Sequence, residues 1–381
     1  MWHSPPVGRA AQPSRRAFLG ATALSAGFVA ACDPNSDRSD SPITIAPTGP
    51  FQAGITIPRE AQPNLLAVVL DVGDDVPVGP LLAEWGEAIR ALTAGTDTRL
   101  LGLSPGDLTV TVGIGPRLVR LTDPALPGAD DLPEFPRERI TPQARGGDLL
   151  VQVCASDAVV PAIAATALLA QAGDRVQERW RQSAHRGSTV PVDQDRTAPR
   201  NPFGFIDGIV GPHAPAQQQR DLWLAGPPQV ARATIAVLRR MELDLPRFAA
   251  LPVAAQEAIF GRRRATGEPL SGGTTATDPN LNAKTPDGRY LIPADAHARR
   301  AHSTAVGVGL MLRRSYSIDD PAPGLLFISF QNTLRTFTNT LVHMNNNDAL
   351  LPFTTTTASA TFLILPGYDQ THPLGTTLYP R

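Results

Sequence analysis

Arg200-Asn201-Pro202-Phe203-Gly204-Phe205-Ile206-Asp207-Gly208 is the stretch on which the reading of this chain turns. It sets two Phe, two Gly and one carboxylate in a turn-rich segment that follows a polar linker. Gly204 and Gly208 permit backbone conformations, or close approaches, that a side chain would forbid. Phe203 and Phe205 supply apolar wall, and Asp207 is the ionisable group inside that wall. Apolar surroundings disfavour the charged form of a carboxylate, which makes such a group a useful proton acceptor near neutral pH. The same residues also suit a Gly-flanked turn in which Asp207 does no more than cap backbone amides.

The rest of the chain bounds the choices. Its 381 residues suggest two or three domain-sized units. A hydrophobic content of 42% and a formal net charge of −1 describe a globular chain with material for a substantial core. There is no basic excess, which argues against nucleic acid as a partner. Cys32 and Cys154 are too few for a disulfide framework or a multi-cysteine metal site. Cys154 ends an apolar run and reads as a small buried residue.

The N-terminus reads as an address. Ser14-Arg15-Arg16-Ala17-Phe18-Leu19 is a twin-arginine export pattern, followed by small apolar residues from Gly20 to Ala31. That run is short for a spanning helix. Val29-Ala30-Ala31-Cys32 resembles a bacterial lipobox, with Cys32 the residue to be lipidated; cleavage at an Ala-Xaa-Ala site is the alternative. Residues 33–50, rich in Asp, Ser and Pro, read as a flexible tether, so that 1–50 precede the folded part.

Beyond the tether, Asn64–Val72 is a strand of the buried type, and Leu81, Leu82, Trp85, Ile89 and Leu92 recur at helical spacing. Leu108–Ile114 and Asp148–Cys154 read as strands, separated by a long Pro- and Asp-rich insertion over Gly115–Gly147. Val159–Leu169 is an Ala-rich helix and Arg179–Arg186 a returning strand. The second half repeats the order: strand Ala233–Leu243, helix Val253–Phe260, strands Val306–Ile318 and Leu325–Phe330, helix Thr333–Met344, strand Ala360–Leu365. The expectation is an α+β chain of two ferredoxin-like β-α-β-β-α-β halves with antiparallel sheets, 51–200 and 201–381, of the dimeric α/β-barrel type.

Gly204-Phe205-Ile206-Asp207-Gly208 resembles the signature of the dye-decolourising peroxidases, a haem family. Other segments fit in the expected order: Gln52-Ala53-Gly54-Ile55 with Pro58, Gly147–Val153, Asp295-Ala296-His297, Leu312-Arg313-Arg314-Ser315-Tyr316 and Gly324-Leu325-Leu326-Phe327. The likeness runs from about Phe51 to Gly367. It implies haem b as cofactor, held by His297 as the axial and only metal ligand, with Asp348 accepting a hydrogen bond from the proximal imidazole. It also implies Asp207 and Arg313 as the catalytic pair, and Phe205, Gly208 and Phe327 as pocket residues. His302 is the nearby competitor for the iron. Alternation along a strand puts Arg313 and Arg314 on opposite faces; the resemblance points Arg313 into the pocket, and Arg314 reads as a surface ion-pair former. Ser315 stands where some relatives carry Gly or a distal Asn, so a distal amide role does not carry over.

The resemblance thus implies an exported haem peroxidase that reduces hydrogen peroxide and oxidises phenolic or dye-like organic donors through a ferryl intermediate. Twin-arginine export suits it, since haem would be loaded before translocation. A homo-oligomer is compatible with this reading. Trp180, Trp223, Tyr316 and Tyr368 are candidates for carrying oxidising equivalents to the surface. A haem- or iron-handling protein of an envelope uptake system is the rival reading, and a haem-free structural domain the third. The third leaves Asp207, His297 and Arg313 unexplained together.

Overall fold

The two apolar runs of the first half owe their continuity to burial on both faces. In β1 (Asn64–Val72), Leu66, Val68 and Leu70 belong to one apolar core and Leu65, Ala67 and Val69 to another. β3 (Leu149–Ala155) divides in the same way, with Leu149, Val151 and Val153 on one side and Leu150 and Cys154 on the other. A strand buried on both faces loses polar alternation, as the sequence does here. The computed structural model describes Met1 and residues 44–380. The twin-arginine stretch, the apolar run, Cys32 and tether residues 33–43 lie outside the described residues.

The outer core of this half is closed by two helices, α1 (Val78–Thr93) and α3 (Val160–Ala172). Leu81, Leu82, Trp85, Ile89 and Leu92 of α1 are fully buried, and Trp85 Nε1 donates to Leu168 O of α3 at 3.1 Å. With β2 (Thr109–Ile114) and β4 (Val176–His185), the antiparallel order is β2-β3-β1-β4. The insertion before β3 contains α2 (Pro116–Thr122) and then runs beside the C-terminal strand, with bridges at Glu138–Thr356 and Arg145–Ser359. A small hairpin, β5 (Thr189–Pro191) and β6 (Thr197–Pro199), links the halves.

The second half opens with α4 (Pro215–Asp221) and β7 (Thr234–Leu243), followed by α5 (Leu245–Ala249) and α6 (Val253–Phe260). Two short helices, α7 (His297–Arg300) and α8 (Ser303–Val306), precede β8 (Leu312–Arg313) and β9 (Tyr316–Ile318). β10 (Gly324–Gln331), α9 (Leu334–Asn347) and β11 (Thr354–Ile364) complete the chain. The expected strand over Val306–Ile318 is therefore corrected. Gly307 takes φ 77°, and a Cβ on Gly309 would come within 2.9 Å of Asp221 Oδ1, so this stretch follows the α4 end and joins the sheet only at Leu312. β11 begins six residues before the expected Ala360, because its first turns are threonines that pair with β7.

β10 pairs with β7 along one edge and with β8 and β9 along the other. β11 joins β7 to β2, and β4 meets β9, so the mixed α/β chain closes one antiparallel sheet into a barrel. Its interior holds Ala236, Leu238, Leu326, Ile328, Phe330 and Phe362 among others. The seams between the halves are short: Leu363–Ile114 and Ile364–Gly113 on one side, His185–Ser317 on the other. Gln52, 2% exposed, fastens the first seam, its Nε2 donating to Val112 O and Leu365 O while Oε1 accepts from Val112 N–H. Gln52→Leu keeps the volume and removes the carboxamide from Val112 N–H and Leu365 O, each unpaired group costing about 1–3 kcal/mol, while Val112 O keeps the Leu365 N–H. Urea unfolding should show a loss of roughly 3 kcal/mol; an unchanged midpoint would show that the seam holds without the carboxamide.

Candidate active site

The Phe203–Gly208 turn is held by its own backbone. Gly204 N–H donates to Asn201 O, Asn201 N–H to Phe205 O, and Phe205 N–H to Asn201 Oδ1. Gly204 and Gly208 take φ of 88° and 77°, in the left-handed region that glycine favours. Phe203 and Phe205 are buried in an aromatic cluster with Phe248, Phe260 and Phe353. Phe205 stacks flat on Phe260, centroids 3.8 Å apart, and stands behind it rather than on the cavity wall. Of the expected pocket residues Phe205 is the one that does not line the cavity: Phe203 and Phe260 reach it, and Phe205 supports them.

That cavity, ≈ 250 Å³, lies against the outward face of the C-terminal sheet. Cross-strand partners share a face, so Phe327 with Arg239, and Leu325 with Met241, present their side chains together. Arg313, paired with Ser329, belongs to the same side, whereas Leu312 points into the barrel. Asp207, Gly208, His297, Arg313 and Phe327 all line this one cavity. Asp207 Oδ1 accepts from Gly208 N–H at 2.7 Å and lies 3.8 Å from Arg313 Nη2.

His297 opens α7, and its Nδ1 stands 2.8 Å from Asp348 Oδ2. A carboxylate only accepts, so Nδ1 carries a proton, and the neutral imidazole has its lone pair on Nε2. Asp348, with a fully buried side chain, also accepts from Leu350 N–H through Oδ1. Among the described residues no cluster of three or more His, Cys, Asp or Glu could hold a metal ion. His297 offers one imidazole nitrogen, the number that iron already bound by a porphyrin takes from protein. The lining fits such a group in charge as well: four guanidiniums, Arg137, Arg239, Arg262 and Arg313, against the single carboxylate of Asp207. Arg262 has a buried donor left over. Its Nη1 donates to Gly267 O and Thr275 O, while Nη2 is buried with no partner among the described residues. Burial, and then the charge of Arg313, push its pKa down to about 10. A haem carboxylate would answer that vacancy.

His302 lines the cavity too, with Nε2 turned to Asp278 Oδ1 at 3.1 Å. Arg314 is corrected from the surface to the interior: it is 5% exposed and donates to the carbonyls of Gly54, Pro58 and Arg59. Ser315 does not line this cavity. Cys154 is buried as expected, its thiol pushed up to about 11 by burial. Trp180, Trp223, Tyr316 and Tyr368 are all buried, and the exposed member of the Trp and Tyr set among the described residues is Tyr290. Sequence reasoning passed over Arg239, Arg262 and the insertion. Arg239, 4% exposed, pairs with Glu138 at 2.7 Å and bonds Thr356 and Ser359, while Pro136 and Arg137 complete the rim. Its signal was a charged pair, Arg239-Arg240, inside an apolar strand.

One closed antiparallel barrel thus carries a carboxylate-backed imidazole and an Asp–Arg pair on a single cavity. Comparison gives the family. Residues 52–186 match the Dyp-type peroxidase N-terminal family and 198–369 the Dyp-type peroxidase C-terminal family. The chain is 32% identical to the dye-decolorizing peroxidase of Thermobifida fusca (strain YX), over 84% of this chain and 86% of that protein. It is 27% identical to the deferrochelatase of Shigella sonnei (strain Ss046), over 96% and 97%. Among solved structures, ferric DtpA from Streptomyces lividans superposes with a TM-score of 0.80 at 29% identity, covering 88% of this chain and 97% of that one. The DyP-type peroxidase from Cellulomonas bogoriensis gives 0.80 at 31% identity, covering 89% and 99%. The chain belongs to the Dyp-type peroxidase family and is a haem peroxidase.

His297→Ala should give folded protein with little bound haem, while His302→Ala keeps it. Haem-to-protein ratios from the Soret and 280 nm bands check this; the opposite result would move the ligand to His302.

Proposed function

We propose that this chain is an exported peroxidase that holds haem b, reduces hydrogen peroxide and oxidises phenolic or dye-like donors one electron at a time. The observation that carries the reading is the approach of Asp207 to Arg313, 3.8 Å apart, on the wall that His297 also lines. When bound, haem supplies the electrons that reduce peroxide and recovers them from the donor. His297 Nε2 is the nitrogen available to hold it, and the Asp348 hydrogen bond keeps that nitrogen electron-rich. Asp207 has Oδ1 engaged by Gly208, so Oδ2 is the atom free to take a proton from peroxide and hand it to the departing oxygen. Arg313 places fixed positive charge where negative charge develops. The strand orders β2-β3-β1-β4 and β9-β10-β7-β11 support reading the halves, 51–200 and 201–381, as ferredoxin-like units.

Relatives named deferrochelatase favour iron handling as the second reading. A carrier has no use for a proton relay beside a guanidinium, so the Asp207–Arg313 pair favours the enzyme.

The two residues should contribute unequally. A positioned water can partly replace Asp207 as relay, so Asp207→Asn should slow the peroxide-induced Soret change by about 10²-fold. No solvent molecule substitutes for fixed charge in a site with little water, so Arg313→Leu should cost about 10³-fold. Stopped-flow absorbance over a range of pH, with haem bound in both variants, measures the ranking. If the wild-type protein itself shows no Soret change with stoichiometric peroxide, the carrier reading takes over.

The export reading rests on Ser14–Leu19 and Val29–Cys32. A processed lipoprotein carries more than one acyl chain, enough for stable residence on a membrane. Cys32→Ala should therefore shift the protein from the membrane to the soluble fraction; unchanged fractionation refutes the anchor.

A further inference from the structure

A second cavity, ≈ 100 Å³, adjoins the first and shares Asn201, Asp207, Gly208, Arg313 and Leu325 with it. The β5–β6 hairpin supplies Thr189, Thr197, Ala198 and Pro199 to its wall, and the segment from Leu312 to Ser317 supplies another side. Six arginines are among its lining residues: Arg59, Arg186, Arg196, Arg200, Arg313 and Arg314. The lining holds two carboxylates, Glu60 and Asp207, and Asp193 stands just outside on Arg196. Three negative charges thus face six positive ones.

Three of these arginines are anchored by groups that do not cancel their charge. Arg200 donates to the carbonyls of Gly204, Arg264 and Ala265, and Arg314 to those of Gly54, Pro58 and Arg59. Arg186 spends only Nε, on Ser315 O at 2.9 Å, with its guanidinium over the Tyr316 ring. Arg313, the nearest charge to Asp207, makes no hydrogen bond to it at 3.8 Å. Ser315 Oγ is buried without a partner among the described residues, and in the extended run between β8 and β9 it alternates onto the same face as Arg313 and Ser317. His213, also on the wall, registers the local field: burial lowers its pKa, and the charges of Arg196, Arg313 and Arg59 lower it further. It is therefore neutral near pH 7 and adds nothing to the excess.

We propose that this chamber is a binding site for a small oxyanion, held by the free donors of Arg186, by Arg313 and by Ser315 Oγ beside Asp207. Charge-assisted hydrogen bonds from a planar guanidinium suit carboxylate, carbonate, sulfate or phosphate oxygens alike. The volume admits an ion of a few heavy atoms together with water. An anion there shares Arg313 with Asp207 and stands on a second approach to that carboxylate, so its occupancy sets how much of the Arg313 charge serves the peroxide step. The oxyanion can be a free ion or the acid group of an organic donor.

The test is binding to the haem-loaded, full-length chain without peroxide, so that its outcome is independent of the peroxidase reading. Sodium sulfate, against sodium chloride at equal ionic strength, should raise the thermal midpoint saturably and leave the Soret band in place. Arg186→Gln should weaken the apparent sulfate affinity about tenfold or more. Ser315→Ala, which leaves every charge in place, should weaken it by a smaller factor and guards against misfolding of the first variant. Benzenesulfonate competing with sulfate identifies the acid group of a donor as the natural occupant, and failure to compete identifies the free ion; either supports the site. Equal responses to sulfate and chloride, as would follow if the haem carboxylates themselves filled the chamber, overturn it. So does a sulfate response unchanged in both variants.

Discussion

The Gln52 carboxamide lies where the two halves of the sheet meet, and it spends both of its polar ends there. Its amide nitrogen serves a carbonyl from β2 and one beyond β11, and its oxygen takes the N–H of Val112. The backbone pairing at that seam covers two residue pairs, so a buried side chain completes what the strands leave open. From Gln52 the chain runs on through Gly54 to Arg59, and there Arg314 binds its carbonyls close to the second seam, where β4 and β9 pair at His185–Ser317. Gly54 has φ 92° and would place a Cβ 2.2 Å from Thr111 Oγ1, so the segment can lie this close only as glycine. One short segment thus fastens both seams. The cavity depends on them, because its floor is the outward face of β7 and β10, strands that hold their register within the closed sheet.

Charge in these walls follows a consistent rule. Arg239 is nearly fully buried, yet Glu138, Thr356 and Ser359 surround it and the Phe135 and Phe337 rings flank it at 5.3 and 5.9 Å. Its pKa is lowered by burial and pulled back by Glu138, as a charge paired on site should be. Breaking that pair would leave a buried charge uncompensated, so it fixes the insertion to the cavity rim. Arg262 and Arg313 are different. Both line the cavity: Arg262 keeps a buried Nη2 with no partner among the described residues, and Arg313 stands 3.8 Å from Asp207 without a hydrogen bond to it.

Much of this was legible beforehand, and for physical reasons. Leu-Leu-Ala-Val-Val-Leu reads as a strand buried on both faces because both faces carry apolar side chains, and the heptad-like spacing of α1 follows from one covered face. The residues around the cavity were legible through motif, since Asp207, His297 and Arg313 each stand in a recognisable local context. A motif names neighbours in sequence, whereas stacking on Phe260 decides that Phe203 and not Phe205 meets the cavity. The β11 start was missed because Thr354–Thr357 carry no apolar pattern; they are in the sheet for their backbone, with Thr354 and Thr356 on the cavity and Thr356 Oγ1 accepting from Arg239. Arg262 and the insertion had no periodicity or motif to announce them, and only tertiary packing brings them to the site.

The Arg313–Arg314 pair shows how one pleat divides two tasks. The chemistry of the two side chains is the same, and the strand alternation sends them to different places. Arg313 lies on the outward face, where both cavities claim it and Asp207 waits at 3.8 Å. Arg314 turns inward, loses most of its hydration and recovers it from three carbonyls, with burial pushing its pKa down to about 10. Those carbonyls belong to the segment that carries Arg59 and Glu60, wall residues of the second cavity. Arg314 therefore shapes the surroundings of Arg313 without facing the main cavity itself. A lysine at 314 would keep the charge but not the fork that spans Gly54 and Arg59. Its effect on the site would come through the position of that segment, and so through the field around Arg313 rather than through any contact with peroxide.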